Sequence, residues 1–138
     1  MFEWQAFADR ETLDEALAAH VVSSLQQRIA QRGTAHLVLS GGSTPVNLYS
    51  ILADADVDWS RVVMLLADER WVPADHEDSN ERLVRETLLT GKAKQAQFVS
   101  LLPTPDDEIA NIAGLSTLLG TLPRFDMVLL GMGEDAHT

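Results

Sequence analysis

The segment at residues 40–45 reads Ser-Gly-Gly-Ser-Thr-Pro, a combination of residue types that binds anions, and it follows an apolar run at residues 36–39. Its two glycines allow the backbone to approach a ligand and to adopt positive φ. Ser43 or Thr44 can cap the helix that follows, and Pro45 suits the first helical position. Free N–H groups at such a helix start, the helix dipole and two hydroxyls together form an anion site. The segment is therefore predicted to bind an anion, and a phosphate fits it.

This segment, called the 40–45 turn below, lacks the features of a nucleotide-binding loop. It has neither the spacing nor the lysine of the nucleotide-binding pattern G-x-x-x-x-G-K-[ST]. A small phosphorylated metabolite such as a sugar phosphate is therefore the predicted ligand. The alternative is a capped turn between strand and helix that binds nothing.

A second group of charged side chains follows the apolar run at residues 62–67. Asp68, Glu69 and Arg70 come directly after it and precede Trp71. Arg70 can hold a phosphate through two hydrogen bonds from its guanidinium group. Asp68 can orient a hydroxyl or transfer a proton. The alternative is a salt bridge at the strand end with a solvated acid, and the spacing does not decide between the two.

The third candidate group consists of Asp135 and His137, which stand two residues apart after a glycine-containing turn. A carboxylate this close can orient an imidazole, so His137 is a candidate general base. The alternative is a terminal histidine without a role. Residues 131–136 also satisfy the weak dinucleotide pattern G-x-G-x-x-G/A, but two acids would face the pyrophosphate and no helix follows.

The elements that must position these groups alternate between strand and helix. Such an order predicts a doubly wound, mainly parallel α/β sheet with helices on both faces and with functional residues at the carboxyl ends of its strands. The predicted strands are 36–39, 62–67, 98–102 and 126–130, all buried, with a further edge or half-buried strand at 2–7. The predicted helices run from Asp9 or Thr12 to about Gln31, ending at Gly33, and over 45–52, 79–89 and 107–119, with Ser79 as a cap and Arg82 on the surface.

Composition limits the functional class further. A chain of 138 residues with 46% hydrophobic residues predicts one domain over residues 1–138. The net charge of -11 argues against nucleic acid or an anionic membrane surface as a partner. No signal-like start and no apolar run of about 18 residues is present, which predicts a soluble protein. Without cysteine no disulfide can form, and a cytoplasmic location is expected.

Three segments together resemble the 6-phosphogluconolactonase family. They are LVLSGGSTP, LLADERWVP with DSNERLVRETLL behind it, and FDMVLLGMGEDAHT, and their order and separation match that family across essentially the whole chain. The resemblance implies hydrolysis of 6-phosphogluconolactone, a small phosphorylated sugar lactone, in the pentose phosphate pathway, without metal or organic cofactor. It also implies the fold shared with glucosamine-6-phosphate deaminases and sugar-phosphate isomerases.

The resemblance also implies roles for individual residues. Gly41, Gly42, Ser43 and Thr44 would hold the phosphate with help from Arg70. His137 would take a proton from the attacking water. N–H groups near Gly133 would stabilise the oxyanion, and Asp135 and Asp68 would have secondary roles.

The chain departs from the family pattern at its C-terminal end. Ala136 stands where the family has glycine, and Thr138 lies inside the motif. The expectation is an N-terminal fragment of a longer enzyme domain, incomplete at the C-terminus and able to associate with itself through an exposed sheet edge. Two further hypotheses stay open: a sugar-phosphate isomerase or deaminase of the same fold, and a phosphosugar-binding fragment without turnover.

Overall fold

The computed structural model describes residues 2–132, which alternate between helices and parallel strands. Their bounds are α1 Arg10–Arg32, β1 Ala35–Leu39, α2 Val46–Ala53, β2 Val62–Leu66, α3 Asn80–Thr87, β3 Gln97–Phe98, α4 Glu108–Thr121 and β4 Met127–Val128, with single 3₁₀ turns at Trp59–Arg61 and Gly91–Gln95.

The four strands form one parallel sheet in the order β3-β2-β1-β4. Leu37 of β1 is paired with Met64 of β2 on one side and with Met127 of β4 on the other. The chain therefore moves outward from β1 to β3 and then crosses back to the far side of β1. This reversal confirms the doubly wound sheet.

The two faces of the sheet carry different helices. Leu37 and Met64 point to the face covered by α1, α2 and α3, whereas Val38 and Leu65 point to the face where Leu118 of α4 packs. Right-handed crossovers explain this division, because the connection from β3 to β4 runs in the opposite direction to the two before it. Helices on both faces are thus confirmed.

The first helix begins and ends where the sequence predicts. The Asp9 side chain accepts a hydrogen bond from the Thr12 backbone N–H at 2.8 Å, which holds the pKa of Asp9 below its usual value. At the other end Gly33 adopts φ 82°, and its N–H donates to the Ile29 carbonyl. A side-chain cap and a left-handed glycine are the usual signals of helix ends, and here both act as predicted.

The predicted strand at residues 2–7 is wrong. This segment has no strand structure, and the Phe2 and Trp4 side chains are almost fully exposed. Phe7 lies beside Leu13 and Leu17 of α1 around a surface cavity, so the segment runs along a helix instead of a sheet edge. An alternating pattern forms a strand only where the segment lies beside another strand, and this segment packs against α1 instead of an edge of the sheet.

The last two strands are shorter than predicted and lie at the edges instead of being buried. Hydrogen bonds continue one residue past each, from Val99 N to Met64 O at 2.9 Å and from Leu129 N to Val38 O at 2.8 Å. Val128 is 48% exposed, whereas every residue of β1 is buried. An apolar run alone does not tell a central strand from an edge strand, because both read as continuous hydrophobic residues.

Asp126 fixes the start of β4 against β1. Its side chain is 5% exposed and accepts a hydrogen bond from the His36 N–H at 2.8 Å and another from Arg32 Nη1 at 3.2 Å. Arg28 adds a longer ion-pair contact at 3.7 Å. Because the Asp126 N–H also donates to the His36 carbonyl, this residue aligns the two strands on either side of the reversal.

We predict that Asp126→Asn lowers the free energy of unfolding by about 1–3 kcal/mol, because its NH₂ group would face either the His36 N–H or the Arg32 guanidinium and the ion pairs with Arg28 and Arg32 would be lost. Urea denaturation followed by far-UV circular dichroism measures the change. Asp106→Asn is the matched control, since Asp106 is exposed. Equal losses in the two variants would contradict the role of Asp126.

Candidate functional site

The 40–45 turn lies at the carboxyl end of β1, next to the end of β4. Ser40 Oγ donates to the Leu129 carbonyl at 2.6 Å, and a Cβ on Gly131 would be 3.8 Å from the Thr44 Cβ. In open α/β sheets, ligands bind outside the carboxyl ends of the strands where the strand order reverses. The gap between β1 and β4 is that position here.

Glycine is favoured at positions 41 and 42 of the turn for different structural reasons. Gly42 adopts φ 83°, and a Cβ there would meet no atom within 4 Å, so the backbone conformation is what favours glycine. Gly41 does not adopt positive φ, but a Cβ there would overlap the side-chain amide of Asn80. The turn is therefore open at Gly42 and closely packed at Gly41.

The predicted cap of α2 is wrong in detail. Pro45 is the N-cap residue and not the first helical residue, and no side chain caps this helix. Within residues 2–132 neither the hydroxyls of Ser43 and Thr44 nor the N–H groups of Gly42, Ser43 and Thr44 have a hydrogen-bond partner. Pro45 with φ −86° and ψ 0° already continues the helical direction, so the hydroxyls before it remain available to a ligand.

A hydrogen bond from a buried tyrosine holds the first residue of the turn. The Tyr49 hydroxyl donates to the Ser40 carbonyl at 2.5 Å, and the Tyr49 side chain is fully buried. Burial raises the pKa of Tyr49 well above its usual value, so the phenol stays protonated and keeps its donor. Ser40, with both its carbonyl and its hydroxyl bonded to protein groups, is structural.

A cation lies beside the turn that the sequence reasoning missed. Arg10 Nη2 donates to the Thr44 carbonyl at 3.4 Å from the first turn of α1. A cavity of about 480 Å³ lies between the turn and the end of β4, and its lining includes Arg10, Thr44 and Met132. No local pattern marks Arg10, since its position depends on how α1 packs against the sheet.

At the end of β2, Glu69 is a structural residue. Its carboxylate accepts hydrogen bonds from four donors, which are Arg70 N at 2.7 Å, Asn80 N at 2.7 Å, Glu81 N at 2.9 Å and Ser79 Oγ at 3.0 Å. The N-terminus of α3 is thus occupied by an anion from the protein itself. Glu69 binds the free N–H groups that would otherwise attract a ligand.

Asp68 and Arg70, by contrast, project into solvent. Both are exposed, and neither side chain has a hydrogen bond or ion pair to any residue from 2 to 132. The salt bridge considered as the alternative for this segment is therefore not found in that part of the chain. Trp71 is anchored instead, because its Nε1 donates to the Pro105 carbonyl at 3.1 Å.

The start of α3 agrees with the sequence. Ser79 caps the helix by accepting from the Arg82 N–H at 3.2 Å. Arg82 lies at the surface and pairs with Glu86 at 2.8 Å, and this hydrogen bond raises the pKa of Arg82.

Asn80 links the 40–45 turn to the end of β2. Asn80 Nδ2 donates to the Asp68 carbonyl at 3.2 Å, while the same side chain lies against Gly41. Neither this contact nor the Glu69 contacts could be found from spacing, since the partners are distant in sequence. The predictions for Gly133, Asp135 and His137 concern residues outside the described range.

Residues 2–132 contain neither a group of side chains suited to a metal ion nor a helix suited to a membrane. Across that range no group of three or more His, Asp or Glu side chains is arranged to hold a metal ion. No helix there is long and apolar enough to cross a membrane.

Comparison with known proteins gives one family. The model of the family described as glucosamine-6-phosphate isomerases/6-phosphogluconolactonase matches residues 8–138. A 6-phosphogluconolactonase from Pseudomonas putida is 44% identical over 131 residues, which are 95% of this chain and 54% of that protein. Another from Mesorhizobium japonicum is 42% identical over 138 residues, which are 99% of this chain and 58% of that protein. The chain thus spans little more than half the length of these relatives.

Solved structures agree in fold. The crystal structure of a 6-phosphogluconolactonase from Shewanella baltica has a TM-score of 0.88 at 45% identity, over 95% of this chain and 57% of that one. The 6-phosphogluconolactonase from Trypanosoma brucei has a TM-score of 0.77 at 27% identity, over 96% of this chain and 60% of that one. The fold expected from the sequence is therefore confirmed.

Proposed function

Because this chain belongs to the glucosamine-6-phosphate isomerase/6-phosphogluconolactonase family, we propose that it hydrolyses 6-phosphogluconolactone to 6-phosphogluconate in the pentose phosphate pathway. The observation that carries the proposal is the 40–45 turn, whose donors have no partner within residues 2–132. It lies at the reversal of strand order, where ligands of open α/β sheets bind.

In this proposal the phosphate of the substrate occupies the 40–45 turn. The N–H groups of Gly42, Ser43 and Thr44 and the two hydroxyls donate to its oxygens, and the N-terminus of α2 adds a favourable dipole. Arg10 beside the turn and Arg70 at the end of β2 supply positive charge. These local charges are needed because the chain as a whole carries a net charge of -11 and repels an anionic substrate.

The proposed reaction is base-assisted attack of water on the lactone carbonyl. His137 removes a proton as the water oxygen bonds to the carbonyl carbon, and the bond to the ring oxygen then breaks, with a proton going to that oxygen. N–H groups near Gly133 stabilise the oxyanion, Asp135 orients the imidazole, and Asp68 contacts substrate hydroxyls. A lactone is already activated, so the proposal requires no covalent nucleophile, metal or organic cofactor.

A second candidate is a sugar-phosphate isomerase or deaminase, which the family description also includes. The exposed Asp68 carboxylate favours it, since an acid without a partner within residues 2–132 can move a carbon-bound proton. Trp71-Val72-Pro73 after Asp68-Glu69-Arg70 favours the lactonase through its resemblance to the 6-phosphogluconolactonase pattern.

We also propose that the protein is located in the cytoplasm. In this proposal residues 1–138 belong to a single α/β domain and are the N-terminal part of a longer enzyme domain.

For phosphate binding, we predict that the chain binds 6-phosphogluconate and that Ser43→Ala weakens the affinity about tenfold, because one hydrogen bond to a charged group is lost. Isothermal titration calorimetry measures the affinity. Ser50→Ala on the exposed side of α2 is the matched control. Equal affinity for gluconate, which lacks the phosphate, would contradict the assignment of the turn.

For turnover, we predict that His137→Ala lowers the enzymatic rate of lactone hydrolysis about 10²–10⁴-fold, the usual contribution of a general base. The rate, corrected for spontaneous hydrolysis, is measured in this chain and in a chimera in which the remaining residues of the Pseudomonas putida relative follow Thr138. His20→Ala on α1 is the control. Equal rates with and without His137 would reject it as the base, and formation of a keto sugar or ammonia would favour the second candidate. Stabilisation by 6-phosphogluconate without turnover in either protein would instead indicate a binding fragment.

For association, we propose that the isolated chain pairs with a second copy along the edge of β4 that pairs with no strand within residues 2–132, where Val128 and Leu130 are 48% and 62% exposed. Light scattering should show a dimer or larger species, and Leu130→Lys should shift it towards the monomer. Ile109→Lys, at an exposed position on α4, is the control. A monomeric wild-type chain would contradict the proposal.

A further inference from the structure

The side chain of Asn80 lies between the two strand ends that carry the predicted site residues of the described range. It is the first residue of α3 and is 6% exposed. On one side its Nδ2 donates to the Asp68 carbonyl at 3.2 Å. On the other side it lies so close to Gly41 that a Cβ there would overlap its amide group. Asn80 thus contacts the end of β2 and the start of the 40–45 turn at once.

Asn80 is itself fixed by Glu69. The Glu69 carboxylate accepts from the Asn80 N–H at 2.7 Å and from the Glu81 N–H at 2.9 Å. Since Glu69 directly follows Asp68, the end of β2 holds both the backbone and the side chain of Asn80. The distance from the end of β2 to the turn is then set by one short, buried side chain with little rotational freedom.

Gly41 lies in close contact with the Asn80 side chain. Gly41 does not adopt positive φ, so its backbone conformation would tolerate a side chain. What excludes a side chain is the Asn80 amide. Helix α3 and the turn therefore approach as closely as a residue without a Cβ allows.

We infer that Asn80, held by Glu69, is a positioning residue that sets the 40–45 turn relative to Asp68 and Arg70. The inference rests on the proposed function in so far as the turn holds the phosphate while Asp68 and Arg70 reach the same substrate. Asn80 itself needs no contact with the ligand. Its substitution changes how well the donors on the two strand ends fit one molecule, because misplaced donors lose hydrogen-bond strength steeply with geometry.

A double-mutant cycle tests the inference. Asn80→Ala should weaken 6-phosphogluconate binding about tenfold, the equivalent of one charge-assisted hydrogen bond. Gly41→Ala should weaken it by a similar factor through overlap with Asn80. The double variant should bind no worse than either single variant, because Asn80→Ala removes the atoms that a Cβ at position 41 would overlap. Glu69→Gln should weaken binding in the same direction, and Glu86→Gln on the exposed side of α3 is the matched control.

A purely structural role gives a different result. In that case Asn80→Ala would lower the melting temperature but leave the dissociation constant of the folded fraction unchanged, and the effects in the cycle would add. Either result would overturn the inference. If Asn80→Ala does not fold, Asn80→Ser takes its place in the cycle, since serine is also short and polar and leaves space beside Gly41.

Amide chemical shifts separate this inference from the proposed function. In the ¹⁵N-labelled protein without ligand, Asn80→Ala should shift the resonances of Gly41 and Gly42 more than Glu86→Gln does. If the wild-type chain does not bind 6-phosphogluconate, the proposed function fails, while these shifts still support or reject the contact from Asn80. If ligand binds but the resonances and the affinity do not respond to Asn80→Ala, the positioning role fails alone.

Discussion

The pairing of β1 with β2 on one side and β4 on the other determines where the rest of the site can form. The loop after β1 leads to α2 on one face of the sheet, whereas α4, which precedes β4, packs on the other face, so the strand order reverses between β1 and β4. Asp126 and Ser40 connect β4 to β1, the first at the start of β4 and the second through its hydrogen bond to Leu129. The 40–45 turn is therefore presented on a rigid support, which favours the positioning of a ligand.

The N-termini of α2 and α3 differ in whether a protein side chain binds their N–H groups. The first turn of α3 is occupied by the Glu69 carboxylate, which satisfies its N–H groups from within the protein. The first turn of α2 has no side-chain cap. The proposed phosphate site lies at α2 and not at α3, because the Glu69 carboxylate already occupies the N-terminus of α3 and would repel a second anion there.

The sequence predicts those features that depend on local chemistry. Asp9, Gly33 and Ser79 mark helix ends because capping involves residues within one turn of each other. The sequence does not predict features that depend on contacts between residues far apart along the chain. The alternating residues 2–7 meet a helix instead of a strand, and the length of the edge strands depends on how many neighbours each one has. Such contacts are set by tertiary packing, which spacing along the chain does not record.

Gly41 and Gly42 show the same distinction within a single motif. A glycine pair before a helix predicts close approach and positive φ, and both properties are present, but they belong to different residues. Positive φ at Gly42 is a local property and could be predicted. The close approach at Gly41 is to Asn80, a protein side chain, and not to an expected ligand. A glycine in a binding turn can therefore serve the ligand indirectly, by letting a neighbouring helix come near enough to fix the position of the turn.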